Sequence, residues 1–183
     1  VPTPTPEGTP TILFAGGWSY RKGVDILSAA VAQLSGVRLL HVGAFEGAPV
    51  PQAGWFTSLG PVDQRRLPET MARAHVFALA SREDGFGMVL IQALACGLPV
   101  ACTDRTGGAD LAETIPDPSY VAMARAGDIA SFRQALQVAL GKASARRGIV
   151  RDGLGAARNS FSWRAYAERY GAFLRKRLKR GLP

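Results

Sequence analysis

Two glycine-bearing loops carry the residue types that could do chemistry in this chain. The first is Gly16-Gly-Trp-Ser-Tyr-Arg-Lys-Gly23 and the second is Ser81-Arg-Glu-Asp-Gly-Phe-Gly-Met-Val-Leu-Ile-Gln92. In the second loop, Gly85 and Gly87 let the backbone approach a ligand closely. The N–H groups of Met88 and Val89 fall in the first turn of the helix that follows, so the positive end of its dipole faces the loop. Such a site holds a phosphate without any basic side chain. In the first loop, Lys22 stands beside Gly23 where a strand gives way to a helix, and from there an ammonium reaches a diphosphate that backbone groups cradle. Arg21 is a second cation, leaving the backbone in a different direction. Asp84 and Gln92 lie across the loop-to-helix junction and can reach one ligand from two sides, and Glu83 takes the acid's place if the loop is shifted by one residue. The amide of Gln92 offers a diol an acceptor and donors but no charge. A plainer account is open for each: Arg21 and Lys22 as exposed helix-start charges, Asp84 as a helix cap, Gln92 as an amide satisfied by backbone.

The elements that must position these loops alternate between strand and helix. Thr11–Ala15 is a short apolar run closed by Gly16-Gly17, as a buried parallel strand would be. Val24, Leu27, Val31 and Leu34 step by three and four along one face of a helix. Val37–Val42 is a second strand, Phe56–Leu59 a short third, and His75–Leu79 a fourth, with a helix over Asp63–Ala74. A helix over Gly87–Ala95 stops at Cys96-Gly97, where Gly97 suits a left-handed cap before Pro99, and Leu98–Cys102 returns as a strand. The remainder reads as helical, with apolar residues at helical spacing over Ile129–Leu140 and again at Trp163, Tyr166, Tyr170, Phe173 and Leu174. This alternation predicts an α/β domain: a Rossmann-like parallel sheet with helices on both faces, right-handed crossovers and C-terminal helices. Ligands in such sheets bind at the carboxyl ends of the strands, where both glycine loops fall.

The second loop resembles the nucleotide-sugar motif of GT-B glycosyltransferases, in particular the retaining enzymes called family 4. Asp84, Gly85-Phe86-Gly87 and Gln92 occupy the motif's positions, and Lys22-Gly23 matches the family's Lys-Gly step. The resemblance implies that Lys22 binds the donor's phosphates and offsets charge on the departing nucleotide, that Gly87 and the following N–H groups hold phosphate, that Gln92 grips the ribose, and that Asp84 lies near the transferred sugar. Gly16 and Gly17 would line the diphosphate, although Gly17 stands where many relatives carry arginine. Asp84 and Gln92 stand where both family residues are usually glutamate. Leu59-Gly60-Pro-Val62 sits where relatives read the base through backbone groups, so Gly60 and Val62 join the site. Thr106-Gly-Gly-Ala-Asp110 matches a glycine-rich segment beside the cleft, read here as a tight turn rather than a helix start. Trp18 and Tyr20 could stack on a ligand or serve as lids, and His41 and His75 read as satisfied core or strand-end histidines.

The resemblance runs from Thr11 to about Leu174, including Phe161-Ser-Trp163, and corresponds to the carboxyl-terminal half of a GT-B enzyme. It implies a proline-rich interdomain linker over residues 1–10, a single donor-binding domain over residues 11–183, and an absent N-terminal acceptor-binding domain as partner. The expected activity is transfer of a hexosyl group from a nucleoside diphosphate sugar to an acceptor, with the isolated domain inactive. No cofactor or metal is implied, because cation and helix dipole already serve the diphosphate. The rivals are a non-catalytic nucleotide-sugar-binding module and another GT-B-like enzyme, an epimerase or phosphorylase.

Composition bounds these readings. The chain has 183 residues, 47% hydrophobic and 20% charged, enough for one good core. Its net charge of +8 owes part of its excess to Arg175-Lys-Arg-Leu-Lys-Arg180, a run suited to an anionic membrane surface. No nucleic-acid-binding motif accompanies that charge. Cys96 and Cys102 lie in apolar surroundings without metal-ligand spacing and read as buried, reduced thiols. The expected location is therefore cytoplasmic, with peripheral attachment at the inner membrane face for the basic run.

Overall fold

A computed structural model of the chain describes residues 8–145 and, further on, 164, 165, 167, 168, 170–172 and 175. Most of the linker expected over 1–10, Phe161-Ser-Trp163, and most of the final aromatic stripe and basic run lie outside the described residues.

Six strands form one sheet: β1 (Thr11–Ala15), β2 (Arg38–Val42), β3 (Phe56–Ser58), β4 (Val76–Leu79), β5 (Val100–Thr103) and β6 (Val121–Ala124). Their order is β3-β2-β1-β4-β5-β6 and every pairing is parallel. Over residues 8–145 the α-helices are α1 (Val24–Val31), α2 (Leu67–Met71), α3 (Met88–Ala95), α4 (Gly108–Thr114) and α5 (Ile129–Ala145). The chain winds outward from β1 through β2 to β3, then crosses back and winds the other way from β4 to β6. With right-handed crossovers, that reversal sets α1 and α3 on opposite faces, so the central strands are covered on both sides. Every residue of β4 and β5 is buried, as two-sided cover requires. α5 lies across β4, β5 and β6 and packs against α1, while α3 packs on β4 and β5 and against α2. This is the expected Rossmann-like fold.

β1 and β4 are hydrogen-bonded neighbours, with Ile12 opposite Val76 and Leu13 opposite Phe77. They flank the reversal of strand order, where a crevice opens outside the carboxyl ends of the strands. Each of the two chemically interesting loops leaves one of these strands.

Four expectations need correction. Val121–Ala124 is a strand, not part of a helical remainder, and it pairs along β5 from Val100 to Thr103. Thr106–Asp110 is not a plain turn, because α4 starts at Gly108. The helix expected over 63–74 divides into a single 3-10 turn at Gln64–Arg66 and α2, since Pro68 has no N–H to continue the earlier turn and instead opens the new helix. Cys96 is only half-buried, whereas Cys102 is buried and its thiol is pushed up to about 11 by desolvation. Gly97 takes the left-handed conformation expected of it, at φ 80°.

Candidate functional site

The loop after β1 is fixed by pairing that outlasts the strand. Gly16 N donates to Val42 O at 2.8 Å, Trp18 N to Ala44 O at 2.8 Å, and Glu46 N to Trp18 O at 3.0 Å, so the loop is zipped to the one after β2. Trp18 turns inward. Its indole is fully buried against Phe14, His41 and Phe56, and Nε1 donates to Pro49 O at 2.9 Å, which removes it from any stacking role on a ligand. Tyr20 stays exposed. Tyr20–Lys22 then make one 3-10 turn, closed by Gly23 at φ 65°. A Cβ at Gly23 would run into the carbonyl oxygen of Ala80, so only glycine lets the start of α1 press against the end of β4.

That close approach joins the two loops. Lys22 Nζ lies 2.5 Å from Asp84 Oδ2, with side chains 18% and 14% exposed, and the Ser81 hydroxyl donates to the same oxygen at 3.3 Å. Arg82 N donates to Arg21 O at 2.9 Å, and its guanidinium reaches both Tyr20 O and the Asp25 carboxylate. The Arg21 side chain is exposed, as is Glu83.

Beyond Asp84 the chain turns through Gly85 and the half-buried Phe86 to Gly87, whose φ of 75° caps α3. Neither the Met88 nor the Val89 N–H has a partner among the described residues. The start of α4 backs this loop: Gly107 N donates to Phe86 O at 2.9 Å, and a Cβ on Gly107 would strike the Phe86 ring and carbonyl. Gln92 is half-buried one turn into α3. Two loops thus present a cation, a carboxylate and unbonded backbone donors around one crevice at the switch point of the sheet, an arrangement suited to a diphosphate and its substituents.

The profile of the family described as Glycosyl transferases group 1 matches residues 9–142 of the chain. The chain belongs to that family. This group 1 domain is 30% identical over 191 aligned positions to a D-inositol 3-phosphate glycosyltransferase of Segniliparus rotundus, an alignment that takes in 93% of the chain and 40% of the relative. It is 36% identical over 108 residues to the protein of that name from Xylanimonas cellulosilytica, covering 52% of the chain and 26% of the relative. Among solved structures it is similar to a sucrose-phosphate synthase from Thermosynechococcus elongatus, with a TM-score of 0.71, 26% identity, and cover of 94% of the chain and 46% of that protein. An Anabaena protein, HepE, solved with UDP and glucose, shares the fold at a TM-score of 0.73 and 18% identity, over 91% and 48% of the two chains. The chain therefore spans less than half the length of these relatives.

Within the group 1 domain, Gly60 and Val62 follow the edge strand β3, two strands from β1. Gly60 O accepts from Gly43 N at 3.0 Å, Gly60 N donates to Ser58 Oγ at 3.3 Å, and Val62 packs partly buried against the core. His41 ties this side to the first loop: Nδ1 is 2.9 Å from Ser58 Oγ and Nε2 is 3.0 Å from Gly16 O. Both ring nitrogens are occupied and burial lowers its pKa, so His41 is a structural histidine, as expected. His75 likewise accepts from Thr11 N through Nδ1 at 3.0 Å.

Two residues here went unnoticed in the sequence. Glu46 places its carboxylate where a side chain at Gly17 would go. Arg82 ties the loop after β4 to Tyr20 O of the first loop and to Asp25 in the first turn of α1. Nothing in their local sequence marks either Glu46 or Arg82, since each gains its meaning from a partner distant in the chain.

Proposed function

We propose that this chain is the nucleotide-sugar-binding, carboxyl-terminal domain of a GT-B enzyme of the retaining, family 4 type, which transfers a hexosyl group from a nucleoside diphosphate sugar to an acceptor. The single observation that carries the reading is the meeting of Lys22 and Asp84 beside the unbonded N–H groups of α3. In this reading the diphosphate lies between the Lys22 ammonium and the helix start, along the Gly16-Gly17 backbone. Lys22 leaves its ion pair with Asp84 in part and stabilises the charge that grows on the departing phosphate, where a preorganised cation is worth most. Asp84 faces the sugar being transferred, Gln92 the ribose hydroxyls, and the backbone at Gly60 the base. The relatives' named acceptor is not carried over, since most of each relative lies outside the aligned segment. Alone, the domain binds nucleotide weakly and turns over little, because transfer needs a positioned acceptor and a water-excluding second wall.

The identities of Asp84 and Gln92 favour a second reading, a module that binds nucleotide sugar without transferring it, since Gln92 contributes no charge. Replacing both with glutamate in the full-length protein separates the two: a gain in sugar transfer supports the enzyme, and none supports the module. The primary reading is tested by thermal unfolding against a panel of nucleoside diphosphates and nucleotide sugars, because a ligand of the folded state raises the midpoint by mass action. A rise with at least one base, absent in Lys22→Ala, supports the reading, and no rise with any of them sinks it.

A further inference from the structure

Glu46 belongs to the loop after β2, and its backbone N–H is fixed by Trp18 O at 3.0 Å. From there its exposed side chain lays the carboxylate against Gly17, in the space that a Cβ on that glycine would fill. No hydrogen bond or ion pair holds the carboxylate among the described residues. A full negative charge therefore rests on the same loop that carries Lys22, kept there by the absence of a side chain at Gly17 and by the zipped backbone beneath it.

We propose that Glu46 makes the site discriminate between donor and spent nucleotide, weakening the free nucleoside diphosphate more than the nucleotide sugar and so favouring product release. The inference rests on the reading above, which lays the diphosphate along Gly16-Gly17. The difference comes from charge. A diphosphate esterified at both ends carries two negative charges, whereas a released one carries about one more near neutral pH, because its terminal phosphate has a second pKa near 6. That extra charge is repelled by the carboxylate across a partly solvated gap. At an effective dielectric between protein surface and water, one such repulsion amounts to about a three- to tenfold change in affinity. The sugar-bearing donor feels less of it, and a neutral nucleoside none.

Titration calorimetry on the 183-residue chain tests this with UDP, GDP and ADP, the donors UDP-glucose and GDP-mannose, and neutral uridine and guanosine, for the wild type, Glu46→Gln and Glu46→Ala. Both substitutions tighten the bound diphosphate by about three- to tenfold more than they tighten the matching donor, and leave the nucleoside unchanged. Equal factors for diphosphate and donor, or no change in either, overturn the role of Glu46 while leaving the nucleotide site standing. Absence of binding by the wild type and both variants overturns the nucleotide site itself and this inference with it.

Discussion

Arg82 and Asp25 face each other in a forked pair, Nη1 to Oδ1 at 2.7 Å and Nη2 to Oδ2 at 2.6 Å, while Nη1 also reaches Tyr20 O at 2.7 Å. The pair bolts the loop after β4 to the first turn of α1, on either side of Lys22. With side chains 40% and 34% exposed, it is screened by water, and Arg82→Ala should cost about 1 kcal/mol in urea unfolding. Arg82→Lys should recover little of this, since an ammonium cannot fork. The hydrogen bond from Arg82 holds the Asp25 carboxyl below its usual value of 3.8. A carboxyl lowered in the folded state stabilises fully above the unfolded value and loses that contribution as pH falls through the folded one. The gap between wild type and Arg82→Ala should thus stay constant from about pH 5 to 8 and close below about pH 4.

Three glycines in left-handed backbone separate strain from collision. Gly36, at φ 67°, has open space around it, Gly87, at φ 75°, would bring a Cβ to 2.9 Å from Leu79 Cδ2, and Gly23, at φ 65°, would drive one into the Ala80 carbonyl. Substitution by alanine should cost about 1 kcal/mol at Gly36 from backbone strain alone, about 2 at Gly87 where a side-chain end yields, and about 3 or more at Gly23 where backbone must move. Chemical denaturation of the three variants checks the ranking.

His41 sets a pH dependence of the opposite kind of group but the same direction. Burial lowers its pKa from the ordinary 6.5, opposed in part by the bond to Gly16 O. The unfolded chain then binds a proton that the folded chain refuses, so stability is full above about pH 6.5 and declines as pH falls below it, by at most about 1.4 kcal/mol per pH unit. Unfolding free energies between pH 7.5 and 5.5 should fall in the wild type and flatten in His41→Gln.

What the sequence disclosed follows from how local each signal is. β1, β2 and β5 were legible because each is a short apolar run ended or preceded by glycine or proline, β4 because Val76-Phe-Ala-Leu79 is apolar throughout and runs into the polar Ser81-Arg-Glu-Asp84, and α1 because its apolar positions repeat at helical spacing. β6 was missed because Val121-Ala-Met-Ala124 is four residues of mostly helix-favouring type, made a strand only by the free edge of β5. Trp18 read as a ligand-stacking or lid residue, since nothing nearby announces that Pro49 O would satisfy its N–H. That the loops of Lys22 and Asp84 would meet could be anticipated, because strand carboxyl ends gather their loops at the switch point. The partnerships of Glu46 with Gly17 and of Arg82 with Asp25 could not, since they depend on how far each loop reaches once the strands are in register.

The most direct measurement is calorimetric titration of UDP, GDP and ADP into the wild type, Lys22→Ala and Asp84→Asn. At least one nucleotide should release or absorb heat with a saturable profile. Lys22→Ala should weaken it by about tenfold or more, the loss of one charge-assisted contact, while Asp84→Asn should bind as well or better because it frees the ammonium. No heat from any of the three at millimolar concentration, or equal affinity in Lys22→Ala and the wild type, would contradict a diphosphate site between Lys22 and the start of α3.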